Sequence, residues 1–199
     1  MTFEVELKAR LRHPAVVEAK AAELGVLIKE TFKEDVYFRR AGDTAVVPRD
    51  RYRLRREAGQ AVVTFKEKVV AADGAEVNRE VEFTVDNDFA FFQFAHRFGF
   101  EPFVVKRKKS RVYRVGRASV ELNEVEHLGH FTEIEILVEK ESETPFARTE
   151  LARLFTRLGL QPEELEPRFY VQMLQEAYPA QYRFVDDPAR AWPFDEVLP

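Results

Sequence analysis

Glu4-Val5-Glu6-Leu7-Lys8-Ala9-Arg10 alternates charged and apolar side chains with a period of two. In an extended strand successive side chains point to opposite faces, so Glu4, Glu6, Lys8 and Arg10 share one face while Phe3, Val5, Leu7 and Ala9 share the other. The two carboxylates then stand roughly 6–7 Å apart on one pleat, with two cations just beyond. That arrangement suits a divalent metal beside a polyphosphate, and it equally suits a strand with one solvated charged face. Recurrence of the pattern downstream is what separates the two readings.

Working outward, strand-like runs are expected over 28–39, 51–58, 60–69, 76–85, 103–115, 117–124 and 131–139, with turns at Glu57-Ala58-Gly59-Gln60 and Val115-Gly116-Arg117. With the first strand that makes eight. Helical spacing predicts a helix from His13-Pro14 to Gly25, a second capped by Asp86-Asn87-Asp88 and stopped by Gly99, and a third from Thr144-Pro145 to Gly159. A last helix is expected over about 166 to 177. Long strands joined largely by hairpins predict an α+β fold: an eight-stranded antiparallel β-barrel with helices packed outside. Residues 1–177 are read as one domain and 178–199 as a C-terminal tail. Tyr182, Phe184, Trp192 and Phe194 could let that tail cap a barrel mouth or pair with a second copy in a homodimer.

The cations follow the same alternation. Arg53-Leu54-Arg55 sets two guanidinium groups on one face, and Lys66-Glu67-Lys68 sets two ammonium groups on another. Arg79, Lys106, Lys109 and Arg111 are further positive candidates. Same-sign pairs on neighbouring strands repel unless an anion lies between them, and a closed sheet would gather them into its interior. The acids group likewise: Asn78, Glu80 and Glu82 share one face, Glu121 and Asn123 another, and Glu133-Ile134-Glu135 repeats the N-terminal pairing. Separate acidic and basic walls imply a metal-bound polyanion, with Mg²⁺ or Mn²⁺ as hard ions that take oxygen ligands.

Composition narrows the alternatives. At 199 residues and 45% hydrophobic content the chain can bury one sizeable core. A net charge of −4 argues against a basic nucleic-acid binder, and alternation splits Lys106-Arg107-Lys108-Lys109 between two faces. With no cysteine, thiol catalysis, Cys-ligated zinc and disulfides are excluded, which is compatible with the cytoplasm. No apolar run approaches the length of a membrane span, so no membrane partner is expected. His127 and His130 lack a third nitrogen or sulfur ligand for zinc. The phenylalanines of 89–98 read as helix packing. Neither glycine-rich phosphate fingerprint is present, so a phosphate site must use side chains.

Glu4-Val5-Glu6-Leu7-Lys8 resembles the E-x-E-x-K signature of the CYTH family, the triphosphate tunnel metalloenzymes that include class IV adenylate cyclases and thiamine triphosphatases. The resemblance continues in order through Asp35-Val36-Tyr37-Phe38, Arg53-Leu54-Arg55, Thr64-Phe65-Lys66, Arg79-Glu80-Val81-Glu82, Lys109-Ser110-Arg111 and the block from Val125 to Glu135. It covers roughly residues 1–175. Within the family the chain is most similar to the class IV adenylate cyclase branch, through Val125-Glu126-His127-Leu128-Gly129-His130-Phe131-Thr132-Glu133-Ile134-Glu135. Asn123 departs from the aspartate that the family often has there.

The resemblance implies a triphosphate (ATP, thiamine triphosphate or tripolyphosphate) bound in the barrel with Mg²⁺ or Mn²⁺. Glu4, Glu6, Glu133 and Glu135 would hold metal, with Glu80, Glu82 and Glu121 as further acidic candidates. Arg53, Arg55, Lys66, Lys109 and Arg111 would grip phosphate oxygens, with Arg10, Lys68, Arg79 and Lys106 as further cations, and Lys8 would sit near the reacting phosphoryl group. Two chemistries are open: cyclisation of ATP with loss of pyrophosphate, or hydrolysis of a terminal phosphate. A non-catalytic polyphosphate or nucleotide sensor is the alternative from another class.

Overall fold

The structure, a computed structural model, describes residues 3–72 and 75–178, and the side chains of all of these except 66–80. All eight expected strands form. β1 (Phe3–Arg10), α1 (Pro14–Leu24), β2 (Val26–Arg40), β3 (Tyr52–Glu57), β4 (Gln60–Ala72) and β5 (Ala75–Val85) are followed by α2 (Asp88–Arg97), β6 (Phe100–Val115), β7 (Ala118–Val125), β8 (Gly129–Val138), α3 (Thr144–Arg157) and α4 (Tyr170–Ala177). Apart from Tyr178, the tail expected over 178–199 lies outside the described residues.

Local chemistry sets the helix ends. Pro14 occupies the first turn of α1, where its missing N–H has no partner to lose. The Asn87 side chain accepts the Ala90 N–H at 2.9 Å and caps α2. Gly25 lets the chain turn from α1 into β2 against the wall, because a side chain there would collide with the Arg114 carbonyl.

The strands close into an antiparallel barrel in the order β1-β5-β4-β3-β2-β6-β7-β8, with β8 pairing back to β1. Register fixes which faces meet. Glu6 lies opposite Glu135 and Lys8 opposite Glu133 across β1 and β8, and Glu121 lies opposite Glu133 across β7 and β8. On the other side Asp35 lies between Arg55 of β3 and Lys106 of β6.

Closure puts the charged faces inside and the apolar faces outside. Val5, Leu7 and Ala9 join Ile134, Ile136 and Val120 beneath Leu151 and Phe155 of α3 and Val17 and Ala21 of α1. Val36, Phe38, Leu54 and Val63 pack beneath Phe92 and Ala95 of α2. Each large aliphatic side chain withdrawn from water in this way contributes about 1.5–3 kcal/mol, so the hydrophobic stabilisation resides between wall and helices. The expectation that every helix packs outside holds for α1, α2 and α3. α4 differs: Phe169, Tyr170 and Val171 at its start line the barrel cavity, while Met173 and Leu174 pack on Phe131 and Phe103. Leu165 forms a β-bridge with Ala9, and the Glu166 N–H donates to the Lys8 carbonyl at 2.9 Å. These contacts tie the segment before α4 to β1, which is why the last helix begins at Tyr170 and not near 166.

Candidate active site

The barrel encloses a cavity of about 140 Å³ whose walls are the charged faces of its strands. One side carries Arg53, Arg55 and Lys106, and the opposite side carries Glu4, Glu6, Glu121, Glu133 and Glu135. Asp35 stands among the cations with no solvent exposure. Arg55 holds it with two parallel hydrogen bonds of 2.7 and 2.9 Å, Lys106 Nζ lies at 2.8 Å, and Arg53 Nη1 at 3.8 Å. Burial opposes ionisation of Asp35, yet the charges of Lys106, Arg55 and Arg53 hold its carboxyl well below the usual range. Lys106 also donates to the Tyr37 hydroxyl at 3.2 Å.

The acidic side divides in two. Glu4, Glu6 and Glu135 each offer a carboxylate oxygen, all within 4.8 Å of one another. Burial, followed by the charge of Glu4 and a hydrogen bond shared with it, pushes Glu135 up to about 8. Crowded carboxylates of this kind are hard oxygen donors whose repulsion a divalent cation relieves, so this set fits a hard divalent metal ion. Glu121 and Glu133 are held differently. Lys33 Nζ lies 2.6 Å from Glu121, and Lys108 Nζ lies 3.2 Å from Glu121 and 2.7 Å from Glu133. Burial opposes their ionisation, but Lys108 lowers both carboxyls, and Lys33 adds to the effect on Glu121.

Lys8 lines the cavity, its ammonium 4.6 Å from the centre of the Tyr170 ring and bonded to the Arg168 carbonyl. Lys106 and Lys108 approach the same ring at 4.8 and 5.9 Å. Three ammonium groups thus gather around one aromatic ring, which makes Tyr170 a shared contact for Lys8, Lys106 and Lys108 at this end of the cavity.

Several expected site residues lie elsewhere. Lys109 and Arg111 do not enter the barrel: Lys109 is largely exposed beside Glu124, and Arg111 pairs with Glu18 and Glu30 on the outer face. The physical reason is alternation, which sends Lys106, Lys108 and Ser110 inward and their odd-numbered neighbours outward. Arg10 shares the inward face of β1 but lies beyond the cavity, donating to the Leu128 carbonyl at 2.9 Å with its guanidinium 4.6 Å over Phe131. Glu82 is exposed and accepts from Thr64, which is the member of that pair lining the cavity. The side chains of Lys66, Lys68, Arg79 and Glu80 lie outside the described residues. Sequence reasoning passed over Lys33, Asp35, Tyr37 and Lys108 as site residues. Period-two counting back from Arg55's partner strand, through Lys33, Asp35 and Tyr37 against Val36 and Phe38, was the signal available for three of them.

Comparison with known proteins agrees with this geometry. The chain is 27% identical over 181 residues to adenylate cyclase CyaB of Aeromonas hydrophila, covering 88% of this chain and 90% of that one. The solved PH1819 protein of Pyrococcus horikoshii OT3 superposes with a TM-score of 0.73 at 28% identity, over 87% of this chain and 98% of that one. A Hippeastrum protein whose structure is described as revealing a dominant triphosphatase activity shares the fold, with a TM-score of 0.62 at 18% identity over 88% and 94% of the two chains. The sequence profile of the CYTH domain matches residues 2–170, and with that span the chain belongs to the CYTH domain family.

Proposed function

We propose that this chain is a metal-dependent enzyme that binds a triphosphate inside its barrel and converts ATP to cyclic AMP and pyrophosphate. The observation that carries the reading is a single cavity with Arg53, Arg55 and Lys106 on one wall and the Glu4, Glu6 and Glu135 carboxylates on the other. Guanidinium forks bind phosphate oxygens in pairs and ammonium groups act as point charges, so this mixed set suits the non-equivalent oxygens of a triphosphate. Mg²⁺ or Mn²⁺ held by Glu4, Glu6 and Glu135 supplies charge neutralisation at phosphoryl oxygens when bound. Lys8, beside Tyr170, balances the charge that develops on the departing pyrophosphate. In the cyclase reaction the ribose 3′ oxygen bonds to the α-phosphorus, its proton passes to water, and the bond to the bridging oxygen breaks. The similarity to a protein named adenylate cyclase over 88% of this chain supports that choice.

Hydrolysis of the triphosphate is the second reading. It is favoured by Asn123, where the resemblance leads one to expect aspartate: its amide donates to Glu133 at 2.7 Å and adds no carboxylate to the cavity. Incubation with ATP, thiamine triphosphate or tripolyphosphate, each with Mg²⁺ or Mn²⁺, followed by chromatography of products, tests both. Cyclic AMP with matching pyrophosphate supports the cyclase, and orthophosphate alone supports the hydrolase. ATP that binds and emerges unchanged leaves the sensor and removes the enzyme.

A further inference from the structure

We infer that a second copy of this chain covers an aromatic patch on the outer wall of the barrel, so that the protein is a two-fold symmetric dimer joined through α2, β4 and β5. This stands apart from the reaction proposed above. Its basis is the uneven cover of the wall. Helices α1 and α3 pack over β1, β6, β7 and β8, and α2 packs over Val36, Phe38, Leu54 and Val63. Beyond α2 the outward face of β4 and β5 continues through Phe65, Val81 and Phe83, which are 40, 46 and 53% exposed. Phe65 pairs across the strands with Val81 and Val63 with Phe83, so all four share that face.

Helix α2 extends the same patch. Phe92 and Ala95 are buried against the wall, but Phe94 and Phe98, expected from the sequence to pack, are 57 and 62% exposed. The rings form a continuous row: Phe83 lies 6.4 Å from Phe91 between centres, Phe91 lies 6.5 Å from Phe94, and Phe94 lies 4.5 Å from Phe98. Phe89 is also half-exposed, but helical spacing sets it on the other side of the buried stripe.

Area and symmetry decide the occupant. Taking about 200 Å² for a whole phenylalanine side chain, Phe65, Val81, Phe83, Phe94 and Phe98 together expose roughly 500 Å² of apolar surface. A stable interface covers about 800 Å² on each partner, and in homodimers about 65% of it is apolar, so this patch with a polar rim is the size of one half of a dimer. A two-fold axis sets each residue near it against its own copy. Charged side chains repel in that position; phenylalanine and valine do not.

Sedimentation equilibrium of the full chain tests this, read together with the fluorescence of Trp192, the single tryptophan. The parent should sediment as two chains at micromolar concentration. Phe83→Asp and Phe94→Asp should each weaken the dimer about 100-fold or more, because each would bury an unpaired carboxylate at an apolar contact. Phe89→Asp should leave it intact. A one-chain mass for the parent, or a dimer that survives both Phe83→Asp and Phe94→Asp, overturns the inference. So does a one-chain parent whose Trp192 emission shifts to the red in Phe83→Asp, which would put residues 179–199 of the same chain on the patch. If circular dichroism shows that an aspartate variant does not fold, spin labels on single cysteines decide, since the chain has none of its own. Labels at Ala90→Cys, exposed on α2, should lie closer together between the two copies than labels at Ala22→Cys, exposed on α1 over β6 and β7. The reverse order overturns the inference.

Discussion

Arg55 grips Asp35 through two parallel hydrogen bonds of 2.7 and 2.9 Å, with Asp35 wholly withdrawn from solvent. The pair places an anion of the protein's own among the cations proposed to hold phosphate. Asp35 therefore aligns Arg53, Arg55 and Lys106 before any ligand arrives, at the expense of burying a carboxylate that is satisfied only while those cations surround it.

Asp35→Asn should destabilise the fold by about 3–5 kcal/mol, because it leaves buried cations without their carboxylate. Urea unfolding measures this. Tripolyphosphate should restore part of the loss by supplying a substitute anion to the folded state only. A variant as stable as the parent would show that solvent already neutralises those cations.

The same carboxylate predicts an acid dependence. Its folded pKa is depressed, so its contribution is fully present above the ordinary value of 3.8 and is lost as pH falls toward the folded value. The stability gap between the parent and Asp35→Asn should stay constant from pH 7 to 5 and narrow below about pH 4. Unfolding curves at a series of pH values check the sign; a gap that widens on acidification contradicts it.

Glu6→Gln should lower kcat/KM by about 100-fold, or roughly 2.7 kcal/mol of transition-state stabilisation, and leave the melting temperature nearly unchanged. Glu6 points into the cavity and contributes nothing to the apolar layers outside the wall. Turnover at limiting Mn²⁺ equal to that of the parent would take Glu6 out of the metal site.

Inward and outward cations should separate cleanly. Arg53→Ala and Lys106→Ala should raise KM for the triphosphate about tenfold or more, each removing a charge-assisted hydrogen bond to phosphate. Lys109→Ala should leave kinetics unaltered, since that ammonium sits on the outer face near Glu124. Equal losses in all three variants would mean that general electrostatic attraction, and not cavity contacts, governs binding.

The sequence made the barrel legible because the two periodicities were clean. Alternation over Phe3–Arg10, and turn residues such as Ala58-Gly59, located strands to within a few positions. Within the site, Glu4, Glu6, Arg53, Arg55, Glu133 and Glu135 were legible because each belongs to a charged pair on one face of a strand. Lys109 and Arg111 misled for a specific reason: β6 carries cations on both of its faces, so charge alone does not say which side is inward. Tyr170 was illegible for another reason. Its place depends on the bridge from Leu165 to Ala9, a contact across most of the chain with no local signature.

Because the apolar layers lie between the barrel wall and its helices, the residues that keep the chain folded and those that face the cavity are largely two separate sets. An ordinary globular core couples every interior substitution to packing. Here an interior side chain can change without disturbing the packing outside: Asn123, where the resemblance leads one to expect aspartate, bonds to Glu133 while the strands beneath α1, α2 and α3 keep their neighbours. The lumen can thus be rewritten for a different ligand without renegotiating the architecture, provided that its positive and negative groups still balance.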